Sequence, residues 1–125
     1  MILFVAHYLG DYTHLSRPSM LAAKRIGYPY PPIFAHAMVH AIIVLVVCCV
    51  FVGKSSLQFR WDVCDVAFII ELITHFVIDV LKGKCNVWFP KVSQPQNISH
   101  WYIFGFDQLL HHLVLVVIWV ICTTT

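Results

Sequence analysis

The chain has 125 residues, 60% of them apolar and only 11% charged, and a mean hydropathy of +0.81, which excludes an ordinary soluble domain. Its net charge of +2 says little by itself, and no nucleic-acid partner is expected. Five cysteines form no CxxC pair, so neither a disulfide framework nor a redox motif is indicated.

Four apolar runs follow in chain order. The first, 1–16, reaches only about 24 Å at 1.5 Å per residue and therefore spans a thinned bilayer or stops short. It is no convincing cleaved signal peptide, because it lacks a basic start and carries His7. Runs at 33–52, 63–81 and 101–122 approach the roughly 20 residues needed to cross hydrocarbon. The expected fold is therefore all-α: one domain, 1–125, forming a polytopic membrane bundle of about four helices. Between the first two runs, the YPYPP stretch at 28–32 predicts an extended segment rather than helix.

Loops one (17–32) and three (82–100) carry Arg17, Lys24, Arg25, Lys82, Lys84 and Lys91; loop two carries only Lys54 and Arg60. The positive-inside rule places the six-base side in the cytoplasm and both termini outside. All eight bases thus fall in connecting segments, whereas Asp11, Asp65, Glu71, Asp79 and Asp107 interrupt apolar runs. A carboxylate at mid-bilayer costs about 2.5–3.5 kcal/mol on insertion scales. With no base in the spans, the sequence predicts that protons or metal ions supply the positive charge.

Each span carries a polar pair spaced i, i+4, which puts both members on one helical face. The pairs are His7 and Asp11, His36 and His40, His75 and Asp79, and Asp107 and His111. Given the alternating helix directions, all four fall in one layer roughly 5–15 Å below the cytoplasmic surface. Convergence on one His/Asp centre near that side is expected. Interhelical hydrogen bonding alone is the plainer alternative.

Imidazole and carboxylate ligands suit zinc, manganese or iron, and Asp11, Asp79 and Asp107 carry enough charge for two divalent ions, so a dinuclear centre is possible. The expected ligands are His7, Asp11, His36, His40, His75, Asp79, Asp107 and His111, with His36 and His40 equally suited to an outer shell. Glu71, one turn deeper, is placed to orient His75 or act in catalysis, and His14 is a candidate general acid. Asp65 reads as unrelated, His112 as packing, His100 as loop, and Gln108 as a ligand contact or packing group. Arg17, Lys24, Arg25 and Lys82 are candidates for holding a phosphate or anionic head group.

The segments HYLGDYTHLSRPSMLAAKR, HFVIDVLK and FDQLLHH resemble the small bacterial and phage membrane proteins of domain of unknown function 3307. That resemblance implies a bacterial or phage origin and the inner membrane, and supplies no activity. His7-Tyr8-Leu9-Gly10-Asp11 is also similar to the opening of the fingerprint of zinc-dependent phospholipase C and P1-type nucleases. The chain departs from it where Leu15 and Arg17 replace Pro-x-His.

The leading expectation is a membrane-embedded, metal-dependent hydrolase acting on a phosphorylated or anionic lipid-like substrate at the cytoplasmic leaflet. The alternatives are a metal-ion or proton carrier, and a non-enzymatic phage or bacterial factor such as one for superinfection exclusion. Membrane lipids are the expected partners, and a homo-oligomer stays open.

Overall fold

The computed structural model describes residues 2–13, 15–55 and 61–124, with 51–55 described by backbone alone. His14 and Arg60 lie outside the described residues. Among those described, the chain is all helical: α1 (Ile2–Tyr12), α2 (Pro18–Ile26), α3 (Tyr30–Ser55), α4 (Trp61–Trp88), a 3-10 turn (Pro90–Ser93) and α5 (Ile98–Thr124). Two helices, over Tyr30–Val50 and Ile98–Thr124, are long and apolar enough to cross a membrane. α1 has 11 residues and rises about 16 Å, so it stops well short of a crossing.

Two expectations for the first loop are corrected. It contains α2, which begins at Pro18 in the first turn, where a missing N–H costs nothing, and ends at Gly27. Gly27 adopts φ 71°, the left-handed conformation that closes a helix and favours glycine. The YPYPP stretch is also mostly helical. Only Tyr28 and Pro29 lie outside a helix, while Tyr30, Pro31 and Pro32 form the first turn of α3. Proline is excluded from helix interiors but fits that position, which is the physical reason for the difference.

α4 packs between α3 and α5 and also receives α2, while α1 lies against α3 and α5. Each helix buries a single stripe. On α4 it runs Cys64, Ala67, Glu71, His75, Asp79 and Gly83, spaced by three or four residues. The stripe divides the interior into two layers. Leu3, Val44, Cys48, Cys64, Ala67, Leu115 and Ile118 form an apolar cluster at one end. The histidines and carboxylates fill the other.

Small residues set the closest approaches. A Cβ at Gly10 would fall 2.5 Å from the His40 ring, and one at Gly83 would fall 2.7 Å from the Lys24 carbonyl oxygen and into the Gly27 backbone. Backbone contact between α2 and α4 is possible only because both residues lack a side chain. Gly105 of α5, by contrast, faces open space. Gly83→Ala is therefore expected to destabilise the fold by about 1–3 kcal/mol through overpacking. Gly105→Ala should stabilise it by about 0.5–1 kcal/mol through helix propensity. Unfolding of the detergent-solubilised variants measures both signs.

Candidate metal centre

The four i, i+4 pairs predicted from sequence converge. His7, His36, His40, His75, His111, Asp79 and Asp107 are all buried, with Asp11 nearly so. The His40 and His75 rings stack with centroids 4.0 Å apart, His75 and His111 lie at 4.4 Å, and His7 is 4.7 Å from His40. Rings this close, drawn from four helices, place their nitrogens around a shared space.

Hydrogen bonds decide which nitrogens face it. His75 Nδ1 lies 3.1 Å from Glu71 Oε1, and donating there leaves Nε2 with a lone pair. His111 Nδ1 donates to the backbone carbonyl of Asp107 at 2.8 Å, with the same consequence. These Nε2 atoms, with both nitrogens of His7 and Nε2 of His40, have no hydrogen-bond partner among the described residues. They face carboxylate oxygens instead. His75 Nε2 is 3.5 Å from Asp79 Oδ2, and His111 Nε2 is 3.7 Å from Asp79 Oδ1. His7 Nε2 and His40 Nε2 lie 3.5 and 3.4 Å from the two oxygens of Asp11.

At His75 and His111, where Nε2 keeps its lone pair, acceptor faces acceptor across to Asp79, and a cation between them reverses the repulsion. The spacing also suits one: ligands on a tetrahedral ion with bonds of about 2.0–2.1 Å sit about 3.3–3.5 Å from each other. Among the described residues, three groups could hold a metal ion, each with its ligand atoms within 4.8 Å of one another. They are His7, His40, Glu71 and His75; Asp11, His36, His40 and His75; and His75, Asp79 and His111. His75 belongs to all three.

The sequence-based premise that these carboxylates have no basic partner is corrected. Lys24, on the unforeseen α2, places Nζ 3.1 Å from Asp11 Oδ1 and 3.1 Å from Asp79 Oδ1. The first contact is a hydrogen bond; the second is an ion pair without hydrogen-bond alignment. Burial by itself would lower the pKa of the Lys24 ammonium, but the charges of Asp79, Asp11 and Asp107 outweigh it and hold it above its ordinary value. Lys24 is therefore a resident cation. Lys82 Nζ similarly donates to Asp107 Oδ2 at 2.6 Å. Asp107 is in none of these three groups, and its Oδ2 pairs with Lys82.

His36 is engaged on both sides. Ser16 Oγ donates its proton to the Gly10 carbonyl at 2.7 Å, so the His36 Nδ1 contact at 3.2 Å requires the ring to be the donor. Its Nε2 is 3.0 Å from Asp11 Oδ1 and 3.3 Å from Lys24 Nζ. His36 and Lys24 thus both contact Asp11 Oδ1.

Beside this centre lies a cleft of about 470 Å³, into which Asp11 and Lys24 also project. Arg25, Lys82, Asn86, His100 and Gln108 line it together with apolar groups such as Phe104. Of the four bases singled out in the sequence, Lys24, Arg25 and Lys82 reach the cleft, whereas Arg17 is exposed ahead of α2 and is not among its lining residues. His100 was read as loop; it lies in the first turn of α5, its Nδ1 donating to the Val92 carbonyl at 2.8 Å. The His100 N–H donates to the Asn97 carbonyl and shows the turn, but nothing in the local sequence pointed His100 to the cleft. Gln108 Nε2 donates to Asp107 Oδ2 at 3.2 Å. Asp65 is exposed, and the His112 ring packs edge-on against Phe4, as expected.

Fold and site together define a small all-helical protein with a buried His/carboxylate centre able to hold a metal ion. The profile of the family described as protein of unknown function (DUF3307) matches residues 1–125, and the chain belongs to that family. No curated protein and no solved structure matches it. The likeness of His7–Asp11 to the phospholipase C and P1 nuclease fingerprint therefore rests on those five residues alone.

Elemental analysis of detergent-purified protein tests the ligand assignment. Wild type should carry at least about one equivalent of divalent metal, and His75→Ala should lose it because His75 joins every group. Asp107→Asn should keep it. Equal metal in wild type and His75→Ala would sink the assignment.

Proposed function

We propose that this protein is a polytopic inner-membrane, metal-dependent hydrolase that acts on a phosphorylated or anionic lipid-like substrate at the cytoplasmic leaflet. α3, α4 and α5 cross the bilayer and α1 enters part of the way. The side bearing α2 and the 3-10 turn faces the cytoplasm, following the six-against-two distribution of bases. The observation that carries this reading is the set of partnerless imidazole nitrogens opposed to Asp11 and Asp79, directly beside a cleft with both basic and apolar walls.

Zinc suits the mixed imidazole and carboxylate donors and their near-tetrahedral spacing, with manganese or iron as further candidates. Asp11, Glu71, Asp79 and Asp107 less Lys24 and Lys82 leave two formal negative charges, which one divalent ion balances. Such an ion supplies a polarised phosphoryl oxygen and a water of near-neutral pKa. The chain supplies the rest. Glu71 fixes the tautomer and orientation of His75 and is a positioning residue; it sits on the apolar side of the centre, away from the cleft. Arg25 lies where the anionic end of the substrate enters, and Phe104 and its apolar neighbours receive the hydrocarbon.

The apolar cluster of Leu3, Val44, Cys48, Cys64, Ala67, Leu115 and Ile118 closes the far side of the centre. That closure favours a hydrolase opening to one leaflet over a carrier, which needs a polar path across.

The test is release of phosphate from short-chain phosphatidic acid by purified protein before and after chelation and metal repletion. Activity should vanish with chelation, return with Zn2+, and be absent in His75→Ala. Glu71→Gln should reduce metal affinity or activity by about 10–100-fold. Metal-loaded wild type with no turnover on any phosphorylated lipid would remove the hydrolase reading while leaving the metal centre intact.

A further inference from the structure

Lys24 belongs to two places at once. Its ammonium lies between Asp11, Asp79 and His36, among the groups able to hold a metal, and its side chain also lines the cleft. The cleft's other bases are Arg25, which is exposed, and Lys82, whose Nζ is held by Asp107. Counting Asp11, Asp79 and Asp107 against Lys24, Arg25 and Lys82 leaves no formal positive charge for an incoming anion. As it stands, the cleft has the shape and the donors for a phosphate but not the charge.

A divalent ion held by the group that contains Asp11, or by the one that contains Asp79, changes that balance. It displaces the ammonium by charge repulsion, and the short path open to Lys24 leads into the cleft it already lines. We propose that the cleft is a phosphate-type oxyanion site whose occupancy is coupled to the metal through Lys24, which moves from Asp11 and Asp79 to the anion when the metal takes its place. This inference rests on the metal reading above and specifies both the ligand chemistry and its order: metal first, anion second. Arg25 and Asn86 complete the donor set, and Asn86 is fixed in position by its bond to the Arg25 carbonyl at 3.0 Å. An apolar wall beside them suits a lipid phosphate, and the same donors suit free phosphate.

Because coupling is reciprocal, each ligand must tighten the other by one factor. Co2+, a visible stand-in for Zn2+, can be titrated into the detergent-solubilised full chain with and without inorganic phosphate, and phosphate with and without Co2+. In wild type each should tighten the other at least about tenfold. Lys24→Met removes the internal competitor, so it should bind Co2+ at least about tenfold more tightly without phosphate, and phosphate should no longer add to that. Lys24→Arg keeps the charge and should retain wild-type Co2+ affinity, which separates loss of charge from misfolding. Arg25→Ala should weaken phosphate binding with unchanged Co2+ affinity.

Nanodiscs containing phosphatidic acid, compared with phosphatidylcholine alone, identify the source. Coupling there but not with free phosphate makes the ligand a head group, and the converse makes it phosphate itself. Co2+ binding in wild type that is no tighter in Lys24→Met overturns this inference alone. Failure of wild type and Lys24→Met alike to bind Co2+ overturns the metal reading as well.

Discussion

One ammonium joins three helices. Lys24 reaches from α2 to Asp11 of α1 and Asp79 of α4, both at 3.1 Å, within a layer where carboxylates would otherwise face one another and a ring of histidines. Removing one partner from a buried pair of this kind typically costs about 3–5 kcal/mol, because the charge left behind has neither water nor counter-ion. Its position depends in turn on Gly27 and Gly83. Without side chains at those two sites, α2 comes into backbone contact with α4, and the Lys24 side chain is carried inward rather than along the surface. Electrostatics and close packing are thus one device here: the glycines set the distance, and the distance sets the charge.

The stripe on α4 shows how a single helix organises both layers. Cys64 and Ala67 pack against the apolar cluster, Glu71 and His75 stand at the boundary, and Asp79 enters the charged layer. Glu71 is bonded to His75, so the boundary residue serves the centre by orienting a ring. α1 repeats this order of apolar then polar groups, and α3 and α5 carry the reverse, polar then apolar, which is why the histidines meet at one level. Small residues on these stripes, such as Ala37, Ala41 and Ala67, allow the approach that helices in lipid need, where apolar burial alone provides little attraction.

The centre and the cleft share their charged groups. Asp11 and Lys24 line both, and Lys82 connects the cleft to Asp107, which precedes His111 by one turn. A change in the charge of one region is therefore felt in the other without any large movement of the helices. In a low-dielectric interior such redistribution carries more energy than it would in water.

The i, i+4 spacing of His7 with Asp11, His36 with His40, His75 with Asp79 and Asp107 with His111 was enough to place these residues on buried faces at one depth. Helical geometry makes that spacing a spatial statement before any tertiary contact is known. The family resemblance was legible for the same reason, in the ordered motifs themselves. The counter-ions were not. Lys24 and Lys82 flank apolar runs and read as bases of connecting segments, and α2 was concealed in a stretch whose prolines suggest extended chain. Its signals were present in Pro18, in the Ala-Ala-Lys-Arg run and in Gly27, but they are local and do not reveal which way a nine-residue helix folds. Only the tertiary structure could decide that, because the direction is set by the meeting of Gly27 with Gly83, 56 positions further along the chain. The sequence determined which groups share a face and a depth; the packing of α2 on α4 determined which charge neutralises them.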